Sequence, residues 1–373
     1  MTNDYMRILH ITAGSDAGGI SRYLYDLCSA MQSAGHQVAI AGQPGPWHNM
    51  FRAAPWPWIE APIKGGPLGL LKASRILRQH LEQNPVDLIH THYRKATLVA
   101  RRLQKNINVP ILYTLHLSHI PLGGPWRWLT DFGDHTHAAA SEARDWLIED
   151  ARIPTQRISL IPHGVHTERF PVPTAAERQA ARATFSLTED NLVALYLGRL
   201  EDPKNESWLV DLAAMSKDSL PGLRVLMAGD GPNEISIRQQ LDRQGLEDRV
   251  WMLGHREPLP LLQAADAMLL PSQREGFSYA CAEAMCAGVP VLRTRTSGTK
   301  ELIVEGTTGR SVPIDRQAFL NTAVEFLSDK SALQRMGIAA ATRIRRDFTF
   351  NRQLTETIAM YTRLTVPGRG RPA

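Results

Sequence analysis

Residues 267–294, AMLLPSQREGFSYACAEAMCAGVPVLRT, carry the pattern that decides the fold. Two apolar runs of strand length, AMLL and VPVL, enclose a loop and a helix of small residues. Apolar strands that alternate with helices are typical of a parallel sheet covered on both faces. The stretch therefore predicts a strand–loop–helix–strand unit, with Glu275 in the loop and Glu283 inside the helix.

The same alternation extends along the chain. Apolar runs occur at 7–12, 86–92, 109–116 and 157–164, and a second series begins at 191–198. Helical patterns separate these runs, which predicts two α/β domains, each a doubly wound parallel sheet. Ligands of such sheets bind beyond the carboxyl ends of the strands, so we expect the site in a cleft between the two domains.

The boundary between the domains is predicted at ERFPVPTAAER (168–178), where two prolines interrupt the pattern. The first domain then spans residues 1–170 and the second spans 171–349. A helix at 350–366 has no strand after it, and we expect it to pack back on the first domain. The tail, 367–373, is rich in proline and glycine and is predicted to be disordered.

The composition is that of an ordinary soluble protein. The 373 residues are 43% hydrophobic and 21% charged, which is enough for a core in each domain. The N-terminus lacks the basic start of a signal peptide, and nowhere do about 18 apolar residues run together. The three cysteines are too few and too scattered for a disulfide framework and favour a reducing compartment. We therefore expect a cytoplasmic protein.

Basic residues are concentrated in one stretch of a chain whose net charge is +5. Between Lys64 and Lys105 there are nine basic and two acidic residues. A solvated surface and an anionic partner both explain this stretch. A helix here could lie peripherally on an anionic membrane, with apolar residues at Leu70, Leu71, Ile76 and Leu77 and cations at Lys72, Arg75 and Arg78, although core packing explains the apolar residues equally well. No nucleic-acid-binding motif accompanies the charge, so we expect no nucleic-acid partner.

A glycine pair follows the first predicted strand. Gly18 and Gly19 stand in AGSDAGGISRYLYDL (13–27), at the turn into a helix. Glycines allow backbone amides and the start of a helix to approach an anion closely. An ordinary tight turn explains the pair equally well, and the spacing from Gly14 is not that of the dinucleotide fingerprint.

Two cations follow the first strand of the second domain. Arg199 and Lys204 lie in one loop, in LYLGRLEDPKNES (195–207). The planar fork of arginine and the compact charge of lysine together suit a diphosphate. Further glycine turns come directly after strands at 228–232 and 253–257. This repetition favours a phosphate site over scattered surface charge.

The opening stretch fits such a site. A helix that begins near Ser278 would point its free amides and the positive end of its dipole at a phosphate. Glu275 and Glu283 would then flank the diphosphate, where they cannot be its ligands because like charges repel. Carboxylates accept hydrogen bonds from vicinal hydroxyls, and a nucleotide sugar has hydroxyls on both sides of its diphosphate.

With these motifs the chain resembles the retaining glycosyltransferases of family 4, which have the GT-B fold. The resemblance runs from the AGGISR loop to EGTTGRSV (305–312) and includes GRLEDPKN, GDGP, LGH, GTKELI and the two glutamates eight positions apart. It implies that Arg199 and Lys204 neutralise the diphosphate, that Glu283 holds the ribose and that Glu275 holds hydroxyls of the donor sugar.

The resemblance also assigns residues around these four. It places Gly276, Phe277 and Ser278 in the donor site, and Gly18 and Gly19 at an amide site for the donor. Ser278 stands where the family often has glycine. The histidine on the acceptor side corresponds to His116 in YTLHLSH (113–119).

Histidine is unevenly distributed, since 12 of the 13 precede residue 170. His116 ends a predicted strand and is expected to be catalytic with Arg199, Lys204 and Glu275, while His90 and His92 are weaker candidates for acceptor contact. Any one histidine is more often structural than functional. The set has no HExxH pair and no cysteine support for zinc, and the chain has no Asp-x-Asp for a metal–diphosphate chelate. We therefore expect neither a cofactor nor a metal requirement.

The resulting hypothesis is a metal-independent, retaining glycosyltransferase. It would use a nucleoside-diphosphate sugar, a UDP- or GDP-sugar, and a glycan or lipid-linked acceptor, in assembly of a bacterial surface polysaccharide or lipopolysaccharide. Two alternatives stay open. One is a nucleotide-sugar 2-epimerase of the same outline, and the other is a catalytically silent GT-B subunit that binds a partner enzyme.

Overall fold

The structure is a computed structural model, and it describes residues 5–16, 18–127 and 129–366. The chain divides into two compact units. The first runs from the N-terminus to Pro162 and includes the segment that begins at Gln353, and the second runs from His163 to Arg352. The boundary predicted after residue 170 thus lies inside the second unit, and the predicted disordered tail, 367–373, lies outside the described residues.

The first unit is a parallel sheet of seven strands with helices between them. Its elements are β1 (Arg7–Gly14), α1 (Gly19–Ser33), β2 (Gln37–Gln43), α2 (His48–Ala53), β3 (Trp58–Glu60), α3 (Pro67–Gln83), β4 (Leu88–Thr91), α4 (Arg94–Gln104), β5 (Ile111–Leu115), β6 (His135–Ala138), α5 (Ser141–Glu149) and β7 (Ile158–Leu160). The strand order is β3-β2-β1-β4-β5-β6-β7. The order reverses between β1 and β4, and the loops after these two strands therefore lie at the usual ligand position of the fold.

The second unit is a parallel sheet of six strands. Its elements are α6 (Ala175–Thr184), β8 (Leu192–Leu197), α7 (Trp208–Met215), β9 (Leu223–Ala228), α8 (Glu234–Gln244), β10 (Val250–Gly254), α9 (Pro258–Ala264), β11 (Ala267–Leu270), α10 (Tyr279–Cys286), β12 (Val291–Thr294), α11 (Thr299–Leu302), β13 (Gly309–Val312), α12 (Arg316–Ser328) and α13 (Lys330–Asp347). The order β10-β9-β8-β11-β12-β13 reverses between β8 and β11. The two parallel sheets confirm the predicted α/β fold class.

The last helix, α14 (Phe350–Thr365), crosses the boundary at Gln353. From Gln353 onward it is part of the first unit, where Tyr361 is fully buried and its hydroxyl lies 2.6 Å from Nδ1 of His90. At the predicted linker, Thr174 caps α6 in a reciprocal pair with Glu177, so this segment starts a helix of the second unit.

Helix α3 packs one face into the core of the first unit. Leu77 is fully buried, and Leu70 is partly buried against the same apolar cluster. These two residues therefore face the core rather than a membrane, whereas Leu68 and Leu71 on the same helix are 82% and 43% exposed. No helix in the described ranges combines the length and apolar character needed to cross a membrane.

Candidate functional site

The candidate donor residues lie in two loops at the point where the strand order of the second unit reverses. Strands β8 and β11 are neighbours, with Ala194 opposite Ala267. The loop after β8 carries Arg199 and Lys204, and the loop after β11 carries Glu275. Because both strands end at the same edge of the sheet, the pairing brings distant parts of the sequence together.

Lys204 and Glu275 form the central contact between these loops. Lys204 Nζ donates to Oε1 of Glu275 at 2.7 Å, and the Ser272 hydroxyl donates to the same oxygen at 2.8 Å. The two charged side chains are 24% and 13% exposed, so water screens the pair only in part. The lysine and the carboxylate that the sequence singles out thus stand side by side.

Backbone contacts fix the two loops against each other. The amide of Gln273 donates to the carbonyl of Pro203 at 2.8 Å, and the Asn205 side chain donates to the carbonyl of Pro271 at 2.9 Å. These bonds hold Lys204 and Glu275 on rigid supports rather than on independent loops.

The glycine turn after β9 lies directly under the loop that follows β8. A Cβ atom on Gly231 would stand 2.1 Å from the carbonyl oxygen of Leu200, and one on Gly229 would stand 1.9 Å from that of Gly198. Gly229 also has φ +141°, a region that favours glycine. The glycines of AGDGP therefore permit close backbone packing beneath Arg199.

Arg199 is the more exposed of the two cations. Its side chain is 54% exposed and pairs with Glu201 at 2.9 Å. The Tyr196 hydroxyl donates to the backbone carbonyl of Arg199 at 2.8 Å and anchors the main chain. Both candidate phosphate ligands are therefore paired with carboxylates, and a bound diphosphate would have to replace Glu201 and Glu275 as their partners.

Helix α10 begins where the sequence predicts. Ser278 is its N-cap and accepts from the amide of Cys281 at 3.4 Å. Phe277 is buried, with its ring in edge contact with His163 and Tyr279. Glu283 is buried within the helix, at 7% exposure. The turn after β12 packs on Gly276, since a Cβ on Gly298 would stand 2.9 Å from the Gly276 carbonyl oxygen.

In the first unit, Gly18 and Gly19 lie at the start of α1. Gly18 is the N-cap with φ +144°, and its carbonyl accepts from the amide of Arg22. Only glycine adopts this backbone readily, although space for a Cβ is open. The first residues of the helix are exposed, as an amide site for a ligand requires.

The most unusual feature of the first unit is a set of buried histidines at the carboxyl edge of its sheet. Nδ1 of His10 lies 3.0 Å from Nε2 of His92, and Nδ1 of His92 lies 3.1 Å from Nε2 of His116. A neutral imidazole donates through one nitrogen and accepts through the other. The three rings must therefore share one tautomer, all Nδ1–H or all Nε2–H, so the proton position on His116 is tied to that on His10.

A second series of hydrogen-bonded side chains crosses the same sheet. His90 contacts the Tyr361 hydroxyl through Nδ1 and the Thr114 hydroxyl through Nε2, both at 2.6 Å, and Thr114 continues to Nδ1 of His137 at 3.0 Å. His90 is 0% exposed and His92 3% exposed. Both ring nitrogens of each histidine are engaged within the interior, and contact of these two histidines with an acceptor stays a prediction.

Three of these rings, His10, His90 and His92, each have a nitrogen within 4.8 Å of the others, as a metal site would need. Apart from Nε2 of His10, their nitrogens already make the hydrogen bonds described above. A metal would have to replace those bonds. The geometry therefore favours the hydrogen-bonded chains over a metal centre.

Several residues of these sites were not predicted. Ser272 and Tyr361 make their contacts through single hydroxyls, which no spacing rule singles out. His10 and His137 come from polar positions of strands, where burial rather than pattern decides their role. Glu206, at the start of the helical segment after Lys204, is 1% exposed, and burial raises its pKa.

Comparison with known proteins agrees with this geometry. The model for "Glycosyl transferases group 1" matches residues 177–343, and the model for "Glycosyltransferase Family 4" matches residues 17–169. Together they cover the second sheet, the first sheet apart from β1, and all the site residues that the sequence predicts. The chain belongs to the glycosyltransferases of the family 4 type, with the GT-B fold.

Individual relatives are distant, and their matches extend over most of both chains. The putative glycosyltransferase EpsD of Bacillus subtilis is 28% identical over 74% of this chain and 76% of its own. The UDP-Gal:alpha-D-GlcNAc-diphosphoundecaprenol alpha-1,3-galactosyltransferase of Escherichia coli is 25% identical over 70% and 71%. Among solved structures, Anabaena Alr3699/HepE in complex with UDP aligns over 96% of this chain and 100% of its own, with TM-score 0.83 and 21% identity.

Removal of the Lys204 charge should weaken binding of the diphosphate. In Lys204→Met we expect the free energy of UDP binding to become less favourable by about 1.5 to 3 kcal/mol, the scale of a charged hydrogen bond. Glu275→Gln should leave UDP affinity nearly intact while impairing turnover of the sugar donor. Isothermal titration calorimetry measures the first effect and initial rates measure the second.

The control is Lys217→Met, which removes an exposed lysine that contacts the Gln244 carbonyl. Its UDP affinity should equal that of the unaltered chain. Equal affinity in Lys204→Met and Lys217→Met would contradict the assignment of Lys204.

Because several histidines are buried, we expect the folded protein to lose stability in mild acid. Burial lowers the pKa of His10 and of His116 to about 3 and that of His137 to about 4. In the unfolded chain each titrates near 6.5, so below about pH 6.5 the unfolded state binds more protons. The free energy of unfolding therefore has its full value above that pH. It falls as the pH is lowered, by up to about 1.4 kcal/mol per pH unit for each histidine.

Urea unfolding between about pH 7 and 5 measures this slope, in a window above most carboxylate titrations. In His10→Gln the free energy of unfolding should depend less steeply on pH, by the equivalent of about one proton bound on unfolding. In His255→Gln, at an exposed position, the slope should equal that of the unaltered chain. A flat profile in the unaltered chain over this window would show that these histidines do not stay neutral on folding.

Proposed function

We propose that the protein is a metal-independent, retaining glycosyltransferase that transfers a sugar from a nucleoside-diphosphate sugar to a glycan or lipid-linked acceptor. The observation that carries this proposal is the contact between Lys204 and Glu275 at the strand-order reversal of the second unit. It joins a ligand for phosphate to a ligand for sugar hydroxyls. The helix start at Ser278 adds backbone amides beside them.

The chemistry follows from what these residues can stabilise. The bond between the anomeric carbon and the diphosphate breaks, and negative charge develops on the leaving oxygen. Arg199, Lys204 and the start of α10 would stabilise that charge. The departing diphosphate then accepts the proton of the incoming hydroxyl, whose oxygen forms the new bond on the same face of the sugar. His116 would orient the acceptor or donor, and Glu275 would position sugar hydroxyls.

Metal independence rests on the same fixed charges. Two cations and a helix start supply positive charge at the diphosphate without a chelated ion. The sequence has no Asp-x-Asp, the usual motif for a metal–diphosphate chelate.

The relatives support the choice of substrates. The solved Anabaena protein is in complex with UDP, and the name of the Escherichia coli relative describes transfer from UDP-Gal to a diphosphoundecaprenol-linked sugar. We therefore favour a UDP-sugar over a GDP-sugar and a lipid-linked glycan acceptor, in assembly of a bacterial surface glycan.

One assay tests the reaction and its stereochemical course. UDP- and GDP-sugars of α configuration are incubated with a diphosphate-lipid-linked sugar in buffer that contains EDTA. We expect an α-linked product, identified by the coupling constant of its anomeric proton in NMR. A β-linked product would disprove retention, and activity that returns only with added magnesium or manganese would disprove metal independence. Conversion of the donor without acceptor would instead indicate an epimerase.

Peripheral membrane contact belongs to the same proposal, because a lipid-linked acceptor lies at a membrane surface. Leu68 and Leu71 are exposed on α3, next to exposed Lys72 and Arg75. Exposed apolar side chains beside cations favour binding to anionic lipid.

Binding is measured by cosedimentation with vesicles of phosphatidylglycerol and with vesicles of phosphatidylcholine. We expect binding to the anionic vesicles alone, weakened by salt and by Lys72→Glu. Lys217→Glu makes the same charge change in the second unit and should bind normally. If the protein binds neither kind of vesicle, a soluble acceptor is the better interpretation.

A further inference from the structure

Arg293 is a buried cation that the roles described above do not use. It lies on β12 and is 1% exposed, the largest of the fully buried side chains. Its Nη2 donates to the Thr296 hydroxyl at 2.7 Å and to the Ser297 carbonyl at 3.2 Å. Nε and Nη1 have no hydrogen-bond partner within the described residues. Both of these acceptors are uncharged, so its charge is not neutralised by them.

The position of the guanidinium makes this charge more unfavourable still. Burial raises the pKa of the Cys281 thiol to about 11, and the nearby charge of Arg293 and its hydrogen bond with this thiol oppose that rise. Cys281 is in the first turn of α10, where its amide bonds to Ser278. A cation beside the N-terminal end of a helix is repelled by the helix dipole. An unpaired buried charge in addition is strongly destabilising unless something compensates for it.

The turn held by Arg293 leads directly to the candidate phosphate site. The amide of Thr296 bonds to the Thr299 hydroxyl at 3.1 Å, and the Thr299 hydroxyl bonds to the Thr296 carbonyl at 2.6 Å, which closes the turn. Gly298 in this turn packs on the backbone of Gly276 and Phe277, immediately before α10. Arg293 therefore lies beneath the same helix start that the proposed function assigns to the diphosphate.

We propose that Arg293 is a positioning residue whose missing counter-charge is the diphosphate of the donor. It rests on the proposed function, since the anion is the diphosphate of a nucleotide sugar. The buried guanidinium strengthens the positive potential at the start of α10 and holds the turn at Thr296 in place. The hydrogen bonds of Arg293 within the described residues go to uncharged groups, and a bound diphosphate would compensate its charge across a medium of low dielectric.

This assignment predicts that affinity changes more than stability does. Arg293→Met keeps the length of the side chain and removes the charge. Without ligand its melting temperature should stay near that of the unaltered chain, because removal of the buried charge offsets the loss of its two hydrogen bonds to the turn. Its dissociation constant for UDP should rise about tenfold, because the electrostatic attraction between the guanidinium and the diphosphate is lost. Its affinity for uridine, which has no phosphate, should stay unchanged.

Two further variants make the test specific. Arg293→Lys keeps the charge and should recover most of the UDP affinity. Arg295→Met removes an exposed arginine two positions further along and should change neither property. Calorimetric titration of the full chain with UDP and with uridine, together with thermal unfolding, supplies every value.

Equal UDP affinity in Arg293→Met and the unaltered chain would overturn the inference and leave the proposed function standing. A variant that is less stable and loses UDP and uridine affinity alike would show a merely structural role. If the unaltered chain itself binds none of UDP, GDP and ADP, the donor assignment fails and the inference fails with it.

Discussion

Parallel pairing of β8 with β11 is the constraint on which the rest of the second unit depends. It reverses the strand order at the middle of the sheet and sends two loops to the same edge. Lys204 and Glu275, 71 positions apart, meet there at 2.7 Å. The hydrogen bonds from Gln273 and Asn205 and the close packing of Gly231 all fix this one junction.

In the first unit, different side chains lie at the edge of the sheet where the strand order reverses. Its reversal lies between β1 and β4, where His10 and His90 are register partners. Polar rings in a sheet interior need partners, because a buried polar group without one is destabilising. The two hydrogen-bonded chains supply them, and Tyr361 of α14 closes one chain from the far end of the sequence. The C-terminal helix is thus part of the polar network of this sheet.

Sequence predicted the fold well where the strands are apolar and poorly where they are not. The runs at β1, β4, β5 and β8 each contain adjacent apolar residues, and the structure has strands in each. β6, with the sequence HTHA, was missed because it has a single apolar residue, although His137 is buried and His135 is half-buried.

Charged residues at strand ends, such as Arg199 and Lys204, were found by spacing and by resemblance. Arg293 was not singled out, because a single arginine in a strand gives no sign of whether it is buried, and the burial of His90 was not predicted for the same reason. Contacts through one hydroxyl, such as that of Ser272, depend on packing that no local pattern encodes.

The pairing of Arg199 and Lys204 with carboxylates has a consequence for selectivity among anions. Free phosphate brings charge without sugar hydroxyls. To bind Lys204 it would have to displace Glu275 and leave that carboxylate, 13% exposed, without its lysine partner. Under the proposed function, a nucleotide sugar would bind Lys204 through its diphosphate and offer hydroxyls to Glu275 at the same time. The internal ion pair would then disfavour simple anions relative to the complete donor.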